Sequence, residues 1–165
     1  MARRCVFMDR DGVINEKPRP GEYIESWEEF KLIPAAVDWI RLFNALGLLV
    51  IVVTNQRGVA LGRVNPKELN RMHARMRKQL AGLGARIDDV FWCPHEKDTC
   101  DCRKPRPGLV LQAAQKWNVS IPDSLMIGDS PCDHELAMTC GLGFVPVADG
   151  RITNGLGKVA FSTGT

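Results

Sequence analysis

Phe7-Met8-Asp9-Arg10-Asp11-Gly12-Val13-Ile14-Asn15 is the stretch on which the reading of this chain turns. The apolar run Cys5-Val6-Phe7-Met8 before it predicts a buried strand, and Gly12 lets the chain turn away at the strand's end. If extended geometry continues through Asp9, side-chain alternation places Asp9 and Asp11 on one face, beyond the strand's carboxyl end. Two carboxylates so placed suit a nucleophile and a proton donor. Asp-x-Asp alone is equally a pair of solvated acids in a turn, so the decision rests on what lies downstream.

Downstream, strand and helix patterns alternate. Val37, Ile40, Phe43 and Leu46 recur at three-residue steps after Pro34, predicting an amphipathic helix closed by Gly47. Leu48 to Val53 is apolar without alternation, as in a strand buried on both faces of a parallel sheet. Asn65-Pro66-Lys67-Glu68 opens a second helix with an Asn cap and a proline at its first position. Its apolar stripe is Leu69, Met72, His73, Met76, Leu80 and Leu83, so His73 is expected as a core or boundary histidine. Arg71, Arg75, Arg77 and Lys78 read as a solvated face. A third strand is expected at Asp89-Val90-Phe91-Trp92 and a third helix at about 107–117. Leu125-Met126-Ile127-Gly128 gives a fourth strand, Ser130-Pro131-Cys132-Asp133 a helix start by the capping-box pattern, and Phe144-Val145-Pro146-Val147 a short fifth strand.

This order implies an α/β fold, a parallel sheet with helices on both faces. Such sheets bind ligands at the carboxyl ends of their strands. Asp9, Thr54-Asn55, a cysteine cluster and Asp129 each directly follow a predicted strand, so four separated stretches converge on one end of the sheet. Residues 149–165 are rich in Gly, Thr and Asn and are expected as a surface strand or a loose tail.

The chain has 165 residues, 45% hydrophobic and 25% charged, an ordinary globular composition for a single domain spanning 1–165. A net charge of +3, with the basic residues spread out, argues against a nucleic-acid partner and leaves room for a small phosphorylated one. Met1-Ala2-Arg3-Arg4 leads straight into the first strand without the features of a secretory signal, and no apolar run approaches the roughly 20 residues that cross a bilayer. The expectation is a soluble cytoplasmic enzyme without a membrane partner.

Cys93-Pro94-His95-Glu96-Lys97-Asp98-Thr99-Cys100-Asp101-Cys102 places three sulfurs and an imidazole in one short polar loop. Cys93, His95, Cys100 and Cys102 meet the tetrahedral preference of Zn²⁺, and four protein ligands leave no open position, so the zinc is read as structural. It would fix the loop that ends in Arg103-Lys104-Pro105. Cys5, Cys132 and Cys140 are left as small buried hydrophobes.

Asp9-Arg10-Asp11-Gly12, Thr54-Asn55, Lys104, and Gly128-Asp129 with Asp133 together resemble the four motifs of the haloacid dehalogenase (HAD) superfamily of phosphotransferases. The resemblance implies a Rossmann-like HAD fold and phosphoryl transfer through an aspartyl intermediate. Carried over, Asp9 is the nucleophile and Asp11 the acid/base. Thr54 holds the transferring oxygens and Lys104 offsets charge on phosphate and nucleophile. A carboxylate cannot approach a phosphate dianion unneutralised, so Mg²⁺ is expected, held in this family by Asp9, the backbone carbonyl of Asp11 and Asp129. Asp133 would orient Lys104 or the metal waters, or only cap its helix.

Asp9 to Asn15, Thr54-Asn55-Gln56, Cys93-Pro94-His95 and Cys100 to Pro105 narrow the resemblance to one branch, the D-glycero-D-manno-heptose-1,7-bisphosphate 7-phosphatases and the similar histidinol-phosphate phosphatases. Members are capless; short inserts, here 15–33, 56–64 and the zinc loop 93–102, would shape the pocket. The segment from Gln56 to Gly62 leans toward the heptose enzymes, with histidinol phosphate the alternative substrate and a non-catalytic zinc-loop binding protein a remote one. Asn55, Gln56, Arg57, Arg103 and Lys104 are the expected substrate contacts. Arg57, Arg63, Arg103 or Arg106 could grip a distal phosphate. A monomer is expected.

Overall fold

The computed structural model describes residues 1–153; the expected tail beyond Thr153 lies outside the described residues. Ten elements follow in chain order: β1 (Cys5–Met8), α1 (Pro34–Ala45), β2 (Leu49–Asn55), α2 (Pro66–Gly82), β3 (Asp89–Cys93), α3 (Gly108–Trp117), β4 (Leu125–Gly128), α4 (Pro131–Cys140), β5 (Gly143–Ala148) and β6 (Arg151–Ile152). The strands form one sheet in the order β3-β2-β1-β4-β5-β6, parallel except for the antiparallel β5–β6 hairpin. Register is set by apolar runs lying side by side, Phe7 opposite Ile51 and Met126, Met8 opposite Val52 and Ile127.

Alternation along these strands splits the core into two layers. Val6, Met8, Val50, Val52 and Ile127 face α1 and α2, where Ile40, Phe43, Met72, Met76 and Leu80 cover them. Cys5, Phe7, Leu49, Ile51, Val53 and Met126 face α3 and α4, against Leu109, Val110, Ala113, Leu136 and Ala137. Because every central strand is buried on both sides, the continuous apolar runs are explained without polar alternation. The Asn65 side chain caps α2 by accepting the Lys67 N–H at 2.8 Å, and a capping box with Ser130 and Asp133 starts α4.

Some expectations shift. Leu83 is about half exposed because α2 ends before it and Leu83 is the cap residue. Cys5 is fully buried as expected, whereas Cys132 and Cys140 are only partly so. The basic residues of α2 are not merely solvated: the Arg75 guanidinium lies 4.9 Å over the Trp27 ring, and Arg77 donates to the carbonyls of Ile87 and Asp88. No helix among the described residues is long and apolar enough to cross a membrane. From β1 the chain winds first to one side of the sheet and later returns to the other, which opens a crevice at the carboxyl ends of β1 and β4.

Candidate active site

The chain leaves β1 through a tight turn in which the Arg10 carbonyl accepts from Val13, Ile14 and Asn15 N–H groups, and the Gly12 N–H donates to the Asn15 carbonyl. Gly12 adopts a φ of +87°, and a Cβ there would sit 2.2 Å from Asp129 Oδ2. Only glycine brings the turn this close to the end of β4. Gly128 does the same against α4, where a Cβ would lie 2.2 Å from that of Asp133. The two glycines let β1, β4 and α4 bring Asp9, Asp129 and Asp133 together, with one carboxylate oxygen of each within 4.8 Å of the others.

Lys104 is the cation built into this cluster. Its Nζ is 2.7 Å from Asp133 Oδ1 and 2.9 Å from Asp9 Oδ1, and its side chain is 1% exposed. Asn55 at the end of β2 pins the lysine's backbone, its amide donating to the Lys104 carbonyl at 3.1 Å and accepting the Lys104 N–H at 2.9 Å. Asp133 contacts both neighbours considered for it: it accepts from Lys104 Nζ, and it accepts from Ser130 N–H and Oγ as the helix cap. Burial would lower the lysine's pKa, but the charges of Asp9 and Asp133 outweigh it and raise it. Burial and the Asp133 charge push the Asp9 carboxyl up to about 7, against the pull of Lys104.

Asp11 sits in a different environment. Its Oδ1 accepts from Arg10 Nε at 3.0 Å, Arg10 Nη2 at 2.8 Å and Asn15 Nδ2 at 2.9 Å, while Oδ2 accepts from Gln56 Nε2 at 3.1 Å. Burial alone would raise its pKa; the Arg10 charge and these hydrogen bonds win and hold it below the usual value. Alternation sends Arg10 into the core, fully buried, where Nη1 meets His73 Nε2 at 3.1 Å. Gln56 also donates to Thr54 Oγ1 at 2.9 Å, so the buried Thr54 shares the network.

A divalent cation fits the carboxylates. The donors are all oxygen, as a hard cation requires, and Asp129 Oδ1 is buried without any hydrogen-bond partner. A soft cation fits the loop after β3: Sγ–Sγ distances among Cys93, Cys100 and Cys102 are 3.2 to 3.6 Å, and His95 Nδ1 is 3.4 and 3.2 Å from the sulfurs of Cys93 and Cys102. A zinc tetrahedron with bonds of about 2.3 Å to sulfur and about 2.0 Å to nitrogen has edges of this size.

The three inserts are tied together by ion pairs. Arg57 Nε pairs with Glu96 of the Cys/His loop at 2.8 Å, and Arg63 Nε with Glu25 at 2.7 Å beneath the Tyr23 ring. Arg106 is held by the Cys100 carbonyl and Asp98. Among the described residues the Arg103 guanidinium makes one hydrogen bond, at 3.4 Å to the His95 carbonyl. Sequence reasoning missed three site residues: Arg10, Asn15 and Lys17, the last with its ammonium 2.6 Å from Asp129 Oδ2. Arg10 was legible, since a residue between two outward acids must point inward. Nothing in the sequence marks Lys17.

Known proteins are similar to this chain in sequence and fold. The HAD-hydrolase-like family matches residues 101–159. The chain is 38% identical over 148 residues to the D-glycero-beta-D-manno-heptose-1,7-bisphosphate 7-phosphatase of Rhodopseudomonas palustris, covering 85% of this chain and 81% of that protein. It is 41% identical over 135 residues to the D-glycero-alpha-D-manno-heptose-1,7-bisphosphate 7-phosphatase of Mycobacterium bovis, covering 81% and 70%. A crystal structure of D,D-heptose 1,7-bisphosphate phosphatase from B. bronchiseptica, complexed with magnesium and phosphate, superposes with a TM-score of 0.81 at 31% identity, covering 90% of this chain and 83% of that one. With relatives this similar over most of both chains, this protein belongs to the heptose-bisphosphate phosphatase branch of the HAD superfamily.

Proposed function

We propose that this chain hydrolyses the 7-phosphate of D-glycero-D-manno-heptose 1,7-bisphosphate through a phosphoaspartate, as a cytoplasmic monomer. The observation that carries the reading is the pairing of Asp9, crowded among carboxylates and bridged by Lys104, with Asp11, held apart by Arg10, Asn15 and Gln56. The Asp9 carboxylate, beside Lys104 and the oxygen donors of the metal cluster, is the nucleophile, and the Asp11 carboxylate, outside that cluster, is the proton carrier.

In this reading Asp9 attacks phosphorus, forming a P–O bond to its carboxylate as the bond to the sugar oxygen breaks. Lys104 and the Thr54 hydroxyl offset charge on the transferring oxygens. Asp11 rests ionised, and Oδ1 is saturated by three N–H donors, so Oδ2 is the atom that moves protons. Oδ2 takes the proton of a phosphate monoanion, which is abundant near a second pKa of about 6, and passes it to the leaving sugar oxygen. It then takes a proton from the water that attacks the phosphoaspartate, releasing phosphate and Asp9. Mg²⁺, held by Asp9, Asp129 and the Asp11 carbonyl, would supply Lewis-acid charge neutralisation. Zn²⁺ on Cys93, His95, Cys100 and Cys102 would fix the loop carrying Arg103 and Lys104. Arg103, whose guanidinium makes one hydrogen bond among the described residues, is the arginine for the distal phosphate, while Arg57, Arg63 and Arg106 are engaged in holding inserts.

The test is Mg²⁺-dependent phosphate release from both anomers of the heptose bisphosphate, histidinol phosphate and fructose 1,6-bisphosphate. One heptose anomer should lead in kcat/KM by about 10²-fold or more, about 2.7 kcal/mol of transition-state discrimination. A lead for histidinol phosphate would overturn the substrate and keep the mechanism; no turnover at all would overturn both.

A further inference from the structure

Two lysines serve the carboxylate cluster, and they are built differently. Lys104 is buried, pinned through its backbone by Asn55, and cannot leave. Lys17 reaches in from the strap between Asn15 and Ile33 with its side chain 56% exposed, and its ammonium rests on a carboxylate only 10% exposed. That ammonium occupies Asp129 Oδ2 while Oδ1 of the same carboxylate stays buried and unpartnered. The Gly12 backbone closes over Oδ2, where a Cβ would sit 2.2 Å away, so the turn after β1 packs directly on the oxygen that the ammonium contacts.

Charge counting gives the pairing a consequence. With Lys17 in place, three carboxylates face two ammoniums. A divalent ion between Asp9 and Asp129 would put Lys17 against a second cation at close range, on the same carboxylate, whichever of its oxygens the ion took. The lysine's exposed stem costs little to swing out. Beside it lies a cleft of about 670 Å³ bounded by Gly12, Lys17, Asp129 and the β5–β6 hairpin, so the freed ammonium remains at the mouth of the site. There the nearest new anion is the phosphate being bound.

We propose that Lys17 is a tethered counter-ion of the metal site: it holds Asp129 until Mg²⁺ binds that carboxylate, and then exchanges it for phosphate. Resting on the phosphatase reading above, this makes metal loading and phosphate binding mutually reinforcing, and such coupling is reciprocal by thermodynamic necessity.

Calorimetric titration of Mg²⁺ into metal-depleted protein, with and without inorganic phosphate, reads both halves without turnover. Lys17→Met should bind Mg²⁺ alone about fivefold tighter than wild type, the fold-change equivalent of giving up an exposed ion pair. The factor by which phosphate tightens Mg²⁺ should be smaller in the variant than in wild type. Lys31→Met removes an equal charge from the same strap without touching Asp129 and should leave both quantities unchanged. Mg²⁺ affinity unaltered or weakened by Lys17→Met, an equal tightening by Lys31→Met, or an undiminished phosphate factor would each overturn the proposal. Failure of the heptose reading would show in the turnover panel alone and leave this titration intact.

Discussion

The Cys/His loop and the carboxylate crevice are both built to hold a cation, by opposite means. The loop draws its four donors from ten consecutive residues, and its sulfurs and imidazole contact one another. The crevice draws its donors from the ends of β1 and β4 and the start of α4, and surrounds them with Lys104, Lys17 and Arg10. A loop whose four ligands are packed against one another depends on its ion for its shape. A crevice with built-in ammoniums keeps its shape and needs its ion for chemistry. Removing a ligand should therefore destabilise the first and disable the second.

Replacing the nucleophile gives the largest effect. Asp9→Asn should cut kcat by at least about 10⁴-fold, and Asp11→Asn by about 10² to 10⁴, with zinc content unchanged in both. In metal-depleted protein above about pH 7, Asp9→Asn should also raise stability. The fold raises the Asp9 pKa, so the native state favours the neutral form and a neutral amide relieves the crowding. Urea unfolding checks the sign. A destabilised Asp9→Asn protein would mean that the ionised aspartate holds the crevice together, and the contrast with the loop would collapse.

The loop gives the mirror image. Cys102→Ser should release zinc, measured by metal analysis, and lower unfolding free energy by more than about 4 kcal/mol, the range reached when a structural metal is lost. Turnover should fall as well, because Lys104 follows Cys102 by two residues and its ammonium must reach Asp9 and Asp133. Mg²⁺ affinity of whatever protein remains folded should stay near wild type. A Cys102→Ser protein that keeps its zinc and its stability would place the loop's order elsewhere, in the Arg57–Glu96 pair that ties it to its neighbour.

How much of each region could be read from the chain follows from the same difference. The loop was legible because its ligands are close in sequence. The strands were legible because burial on both faces leaves continuous apolar runs, and the motif acids because they follow those strands. The neighbours that tune the acids were not. Asn55 could be named as a site residue, yet its amide is occupied with the Lys104 backbone, a pairing across 49 positions that no local pattern announces. Lys17 approaches Asp129 across 112 positions from an irregular strap, where neither helical nor strand periodicity constrains a side chain. Asp133 carried two readings because one short pattern serves both a helix cap and a carboxylate that orients a neighbour, and in the structure it caps α4 and pairs with Lys104.

The smallest effect separates the two histidines that matter. His95 belongs to the loop, whereas His73 lies on α2, 4% exposed, with Nε2 against the Arg10 guanidinium. Burial and then the Arg10 charge push the His73 pKa down to about 3, while in the unfolded chain it titrates near 6.5. Between those values the unfolded state binds the extra proton, so this residue's contribution to stability is complete above about pH 6.5 and is lost as pH falls toward 3. The slope is up to about 1.4 kcal/mol per pH unit. His73→Gln, whose amide oxygen can still accept from Arg10, removes that slope. Measured by urea unfolding from about pH 7 to about pH 5, the gap between wild type and variant should narrow as the solution is acidified. Protonation of the zinc thiolates weakens both proteins alike and cancels in the difference. Parallel stability curves would show that His73 takes its proton without leaving Arg10, and that the arginine behind Asp11 rests on Met72 and the surrounding core instead.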